Sequence, residues 1–89
     1  MGNFMGGSAY AMARDIAEGM ILVNAGTFKK FAPGEMRQLV FELDKVQKET
    51  RADQPPLDDT QAIQKRGRKL SRITAALQII NSAMLKRTS

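Results

Sequence analysis

Ile63, Leu70, Ile73, Leu77, Ile80 and Met84 form an apolar row in which, once Arg66 is included, every interval is three or four residues. That period belongs to one face of an α-helix and extends over three heptads. The stretch therefore predicts a long helix whose row needs another helix to cover it. A candidate partner lies immediately before it. Met36, Leu39, Leu43, Val46 and Thr50 repeat at three and four, with Val40 widening the stripe. Between the two stripes, Asp53-Gln54-Pro55-Pro56 breaks the helix, because proline cannot donate a backbone hydrogen bond and forces the preceding residue out of helical angles.

The start of the second helix is marked by four residues. With Ala32 as N-cap, Pro33 takes the first helical position, where its missing N–H costs nothing, and Glu35 takes the third, where its charge suits the helix dipole. Phe31 and Met36 then occupy the two positions of a hydrophobic staple. The third helix is expected to open at Asp58, Asp59 or Thr60, with acids at its positive end, and to close on Lys86 and Arg87. A first helix is read from Ala9, Ala13, Ile16, Met20 and Val23, capped by Ser8 and stopped by Asn24-Ala25-Gly26. Gly19 falls inside that pattern, either as a tolerated surface glycine or as part of a small face with Ala13 and Ala17.

With no alternating strand pattern, these segments predict an all-α fold of three helices. The second and third form an antiparallel helical hairpin, and the N-terminal helix packs across it. At 89 residues the chain is one domain, 1–89, with the glycine-rich Met1–Gly7 expected as a flexible tail. So short a chain buries a modest fraction of its surface, which points to an oligomer in which a second subunit covers more apolar area.

Composition removes most chemistry. Without Cys, His or Trp there is no disulfide, no thiolate nucleophile, no Cys/His zinc site and no imidazole base. Asp53, Asp58 and Asp59 make an acidic cluster without the glycine-centred loop that calcium needs, and helix capping accounts for Asp58 and Asp59. No glycine-rich phosphate loop follows a strand. No cofactor, metal, small-molecule substrate or catalytic residue is expected. The longest apolar run, Met20–Val23, is far below the roughly 20 residues of a membrane span, and a cytoplasmic protein is the expectation.

Charge is distributed unevenly. Residues 1–60 hold seven Lys/Arg and nine Asp/Glu, a balance of −2, whereas residues 61–89 hold seven Lys/Arg and no acid, a balance of +7. Lys65, Arg68, Lys69 and Arg72 share one helix face and could follow a phosphate backbone, or could answer acids elsewhere in the fold. Arg66 interrupts the apolar row, and either meets Glu49 or Asp53 or stands in water where the helices splay. Two functions are compatible with this sequence. The first is a non-enzymatic helical module that binds a protein partner or itself, as a homodimer, through the seam Ile63, Leu70, Ile73, Leu77, Ile80 and Met84. The second is a nucleic-acid-binding accessory protein that uses Lys65, Arg68, Lys69 and Arg72.

Overall fold

In the computed structural model, which describes Phe4 and residues 7–88 apart from the side chains of 87 and 88, the chain forms three helices. They are α1 (Ala9–Ala17), α2 (Pro33–Ala52) and α3 (Thr60–Thr88). Among the described residues there is no strand, so the fold is all-α.

Each helix starts where an oxygen meets the N–H groups that its first turn leaves unpaired. The Ser8 hydroxyl accepts from the Ala11 N–H at 3.1 Å. A carboxylate oxygen of Asp59 accepts from the Ala62 N–H at 3.1 Å, making Asp59 the residue that opens α3. At α2, Pro33 stands in the first turn, and Glu35 reaches back to accept from the Ala32 N–H at 2.8 Å. This is the reciprocal half of a capping box, the half that an alanine N-cap leaves available. Phe31 and Met36, the staple residues, are both buried in the core.

α1 is shorter than its stripe implies. It ends at Ala17, where Gly19 adopts φ +81° and the Met20 and Gly19 N–H groups donate to the carbonyls of Asp15 at 2.8 Å and Ile16 at 3.1 Å. Those two bonds make a Schellman motif, in which a glycine closes the helix in the left-handed conformation. Asn24-Ala25-Gly26, expected as the stop, lies in the connection instead. There the Asn24 side chain accepts from the Gly26 N–H at 2.8 Å. Ile21 and Val23 still pack against the core from this irregular segment, which is why the apolar spacing continues past the helix end.

All three helices contact one another around a core that includes Met12, Ile16, Phe28, Phe31, Met36, Leu39, Leu43, Ile73 and Ile80. Of the expected tail, residues 1–3, 5 and 6 lie outside the described residues. Phe4 stacks edge-on against Phe31 with 5.7 Å between ring centroids, and Phe31 against Phe28 at 5.2 Å. α3 is longest, about 43 Å at 1.5 Å per residue, and accounts for most of the 47 Å extent of the molecule.

The buried side of α3 differs from the expected seam. Ile73, Ala76 and Ile80 are fully buried, but Leu70, Leu77 and Met84 are half-buried and Ile63 is 41% exposed. At 100° per residue, the centre of the buried arc lies roughly 90° from the line through Ile63, Leu70 and Leu77. A two-helix seam assumes one neighbour, whereas α3 has two. Packing against α1 as well as α2 draws Ala76, Ile79 and Ala83 inward and moves the line of Ile63, Leu70 and Leu77 toward the edge.

The two halves of the heptad row should accordingly differ in stability. Ile73→Ala is expected to cost about 2–5 kcal/mol, as buried aliphatic truncations do. Leu70→Ala should cost less than half as much in denaturant titrations. Equal losses would place Leu70 at the core centre and contradict the observed rotation.

Candidate functional site

Two arginines of α3 are held by the ends of the other two helices. An α-helix leaves its last carbonyls unpaired and carries partial negative charge there, so a guanidinium at a C-terminus is favourable on both counts. Arg66 lies against the end of α2, where its Nε donates to the Thr50 carbonyl at 3.2 Å and its Nη2 to the Arg51 carbonyl at 2.9 Å. Arg72 lies against the end of α1, its Nη1 donating to the Ala17 carbonyl at 3.0 Å. Neither carboxylate proposed for Arg66, Glu49 or Asp53, is its partner; the backbone is.

Gly19 makes the second contact possible. A Cβ at this position would lie 2.9 Å from Cζ of Arg72 and would displace its guanidinium. The same glycine therefore supplies the left-handed turn that ends α1 and the space in which the arginine meets that end. Beside it, Nζ of Lys69 is 3.0 Å from a carboxylate oxygen of Glu18, the residue that follows Ala17. With both side chains substantially exposed, this pair contributes about 0–1 kcal/mol.

The four residues read as a basic ridge are thus divided. Lys69 and Arg72 are half-buried at the α1 junction, while Lys65 and Arg68 are exposed. Lys65 also lines a cleft of about 430 Å³ where the three helix ends converge. Four cations (Arg14, Lys65, Arg66, Lys69) and three carboxylates (Glu18, Glu49, Asp53) line that cleft, so it offers an anion no concentrated positive pole. Nearby, two cations approach the Tyr10 ring: Nζ of Lys45 sits 5.6 Å from its centroid, and Cζ of Arg14 sits 5.9 Å from it.

Turning these cations toward α1 and α2 leaves the opposite side of α3 uncharged. Between Arg68 and Lys86, every exposed position of the helix is uncharged: Ser71, Thr74, Ala75, Gln78, Asn81, Ser82 and Leu85. The half-buried Leu70, Leu77 and Met84 border this face, and Ile63 and Gly67 extend it toward the N-terminus. Of the expected seam, Ile73 and Ile80 are committed to the core of the same chain, while Ile63, Leu70, Leu77 and Met84, spaced by seven, remain accessible in part.

No helix among the described residues is long and apolar enough to cross a membrane. Comparison with protein families, curated proteins and solved structures finds no match.

The sequence places Gly19 inside the first helix and not at its end, gives no weight to Ala76, and offers Arg66 a carboxylate or water where it meets main-chain carbonyls. For Gly19 a signal was present, since Glu18-Gly19 is as good a helix stop as Ala25-Gly26. The backbone carbonyls that receive Arg66 and Arg72 have no side-chain signature.

Coupling between Gly19 and Arg72 is the measurable consequence. Gly19→Ala is expected to cost about 1–2 kcal/mol from the left-handed backbone alone, and to displace the arginine as well. Arg72→Gln should cost about 1.5 kcal/mol, the low end for a charged hydrogen bond at a partly exposed site. In a double-mutant cycle the two losses should fall short of additivity; strictly additive losses would mean that the glycine and the guanidinium act independently.

Proposed function

We propose that this chain is a non-enzymatic helical interaction module that pairs with a second copy of itself through the uncharged outward face of α3. In this reading α2 and α3 form an antiparallel hairpin that presents the face. The contact pattern supports the hairpin: Arg66 meets Thr50 and Arg51, whereas Thr74, farther along α3, accepts from Gln47, earlier in α2, at 3.4 Å.

The observation that carries the proposal is the absence of charge at exposed α3 positions from Ser71 to Leu85, on a helix whose sequence segment holds seven cations and no acid. Protein interfaces are depleted of charge at their centre because an unpaired ion is costly to remove from water. Here a partner helix would meet Thr74 and Asn81 flanked by Leu70, Leu77 and Met84, with no ion to desolvate. The same placement suits a second copy in particular. Cations directed toward α1 and α2 do not confront their counterparts when two such faces are laid together.

The nucleic-acid alternative has weaker support. A phosphate backbone following the ridge would find Lys65 and Arg68 exposed but Lys69 and Arg72 already engaged at the α1 junction. Affinity resting on two contacts would be low and steeply reduced by salt.

Sedimentation equilibrium tests the proposal. The wild-type chain should form a dimer at micromolar concentration, and Thr74→Lys with Asn81→Lys should make it monomeric. Both positions are exposed, lysine is a good helix former, and Thr74→Lys gives up only the long 3.4 Å contact from Gln47, so the circular dichroism of the variant should be unchanged. A wild-type monomer throughout the micromolar range, or a dimer indifferent to both lysines, would contradict it.

A further inference from the structure

The outward face of α3 carries a repeat that its own core does not use. Ile63, Leu70, Leu77 and Met84 form a row spaced by seven. About 60° to one side of this row stand Arg66, Ile73 and Ile80, which turn to α2 and to the core of the same chain. About 40° to the other side stand Gly67, Thr74 and Asn81, all exposed. Together with the long row they give intervals of four and three from Ile63 to Met84, the heptad of a second seam that faces solvent.

The two rows of this outer seam differ in size. One holds only large apolar side chains, and the other holds short ones. Gly67 is the extreme case. It stands inside a helix, where glycine lowers stability, and it has neither a positive φ nor a neighbour that a Cβ would meet within 4 Å. Nothing within the chain requires a glycine there, whereas a second helix laid across the face would.

The difference in size decides how two copies fit. In a parallel pair each residue stands level with its own counterpart, so leucines crowd at 70 and 77 while the glycines leave a void at 67. Crowding and voids are both costly in a packed interface. Turning one helix end for end sets the long row of each copy against the short row of the other. With the twofold axis between Leu70 and Thr74, Leu70 meets Thr74 of the other copy, Leu77 meets Gly67, Ile63 meets Asn81 and Met84 meets Thr60.

Charge favours the same arrangement. In a parallel pair the exposed Lys65 and Arg68 of both copies stand level. Reversal about that axis separates the two Lys65 residues by about 21 Å along the helix and the two Arg68 residues by about 12 Å, beyond the Debye length of about 8 Å at physiological salt. Asp58 and Asp59 of each copy then come level with the last turns of the other copy's α3, a segment without acid.

We propose that two copies of this chain pair as antiparallel α3 helices, the large row of one packing on the short row of the other. The inference rests on the self-association proposed above and adds its orientation, which can fail separately.

Spin labels read the orientation directly. The chain has no cysteine, so Gln61→Cys and Ser82→Cys each give a single labelling site, exposed and off the seam. At concentrations where sedimentation shows the dimer, either labelled protein alone should give an interspin distance above about 30 Å, since its two labels lie toward opposite ends of the pair. An equimolar mixture should add a distance shorter by about 10 Å or more, from site 61 of one copy beside site 82 of the other. Gly67→Leu supplies an independent reading. In the monomer the new side chain enters open space, so circular dichroism and thermal melting should not decline. Against Leu77 of an antiparallel partner it should raise the dissociation constant roughly tenfold or more, whereas in a parallel pair two leucines would fill the void at 67 and tighten the dimer. A dimer with short distances for both singly labelled proteins, or one that Gly67→Leu leaves unchanged or tightens, would overturn the antiparallel arrangement and leave self-association standing. A wild-type chain that stays monomeric would overturn both.

Discussion

Two arginines of α3 terminate the other two helices, and the rest of the architecture depends on this arrangement. Arg66 and Arg72 are six residues apart, which places them about 120° apart around the helix. The buried Ile73, Ala76 and Ile80 fall within the arc between them. One arginine therefore engages the end of α2 on one side of the core, and the other engages the end of α1 on the opposite side. With both in place, the rotation of α3 about its axis is determined. α1 benefits most, because a nine-residue helix is too short to be stable alone and relies on its packed face and its two ends. Ser8 supplies one end, and Gly19 with Arg72 supplies the other.

Rotation of α3 then governs what the molecule shows to solvent. The cations concentrated in residues 61–89 serve partly as internal electrostatic partners for helix C-termini and for Glu18. Their inward and lateral placement is the reason that the exposed positions of α3 between Arg68 and Lys86, Thr74, Gln78 and Asn81 among them, carry no charge. A basic helix thus acquires a neutral surface, and the strong asymmetry between the two parts of the sequence becomes compatible with self-association.

Features set by neighbours along the chain were legible in the sequence. Ser8, Ala32 with Pro33 and Glu35, and Asp59 all mark helix starts through contacts within four residues, and the Pro55-Pro56 break needs no tertiary information. Features set by a third body were not. The apolar residues Ile21 and Val23 continue the α1 stripe because a connection covers the core there, and this hid the stop at Gly19. A heptad row read from one helix points toward a single partner, so Leu70 and Leu77 were placed at a centre that Ala76 in fact shares with Ile73 and Ile80. Lys69 and Arg72 were legible as cations on one face. Their destination was not, since the end of α1 is more than 50 residues away in sequence and Arg72 meets it through a main-chain carbonyl.

Guanidinium NMR examines the capping arrangement at its source. Arg66, Arg68 and Arg72 belong to one helix, but only the first and third donate to helix-terminal carbonyls, while Arg68 is exposed. Side-chain N–H exchange and rotation about the Nε–Cζ bond should be slowed at Arg66 and Arg72, with Arg68 as the unrestrained internal reference. Three arginines with the same fast exchange and free rotation would contradict the account, because the rotation of α3 and the neutral face that follows from it would then lack their physical cause.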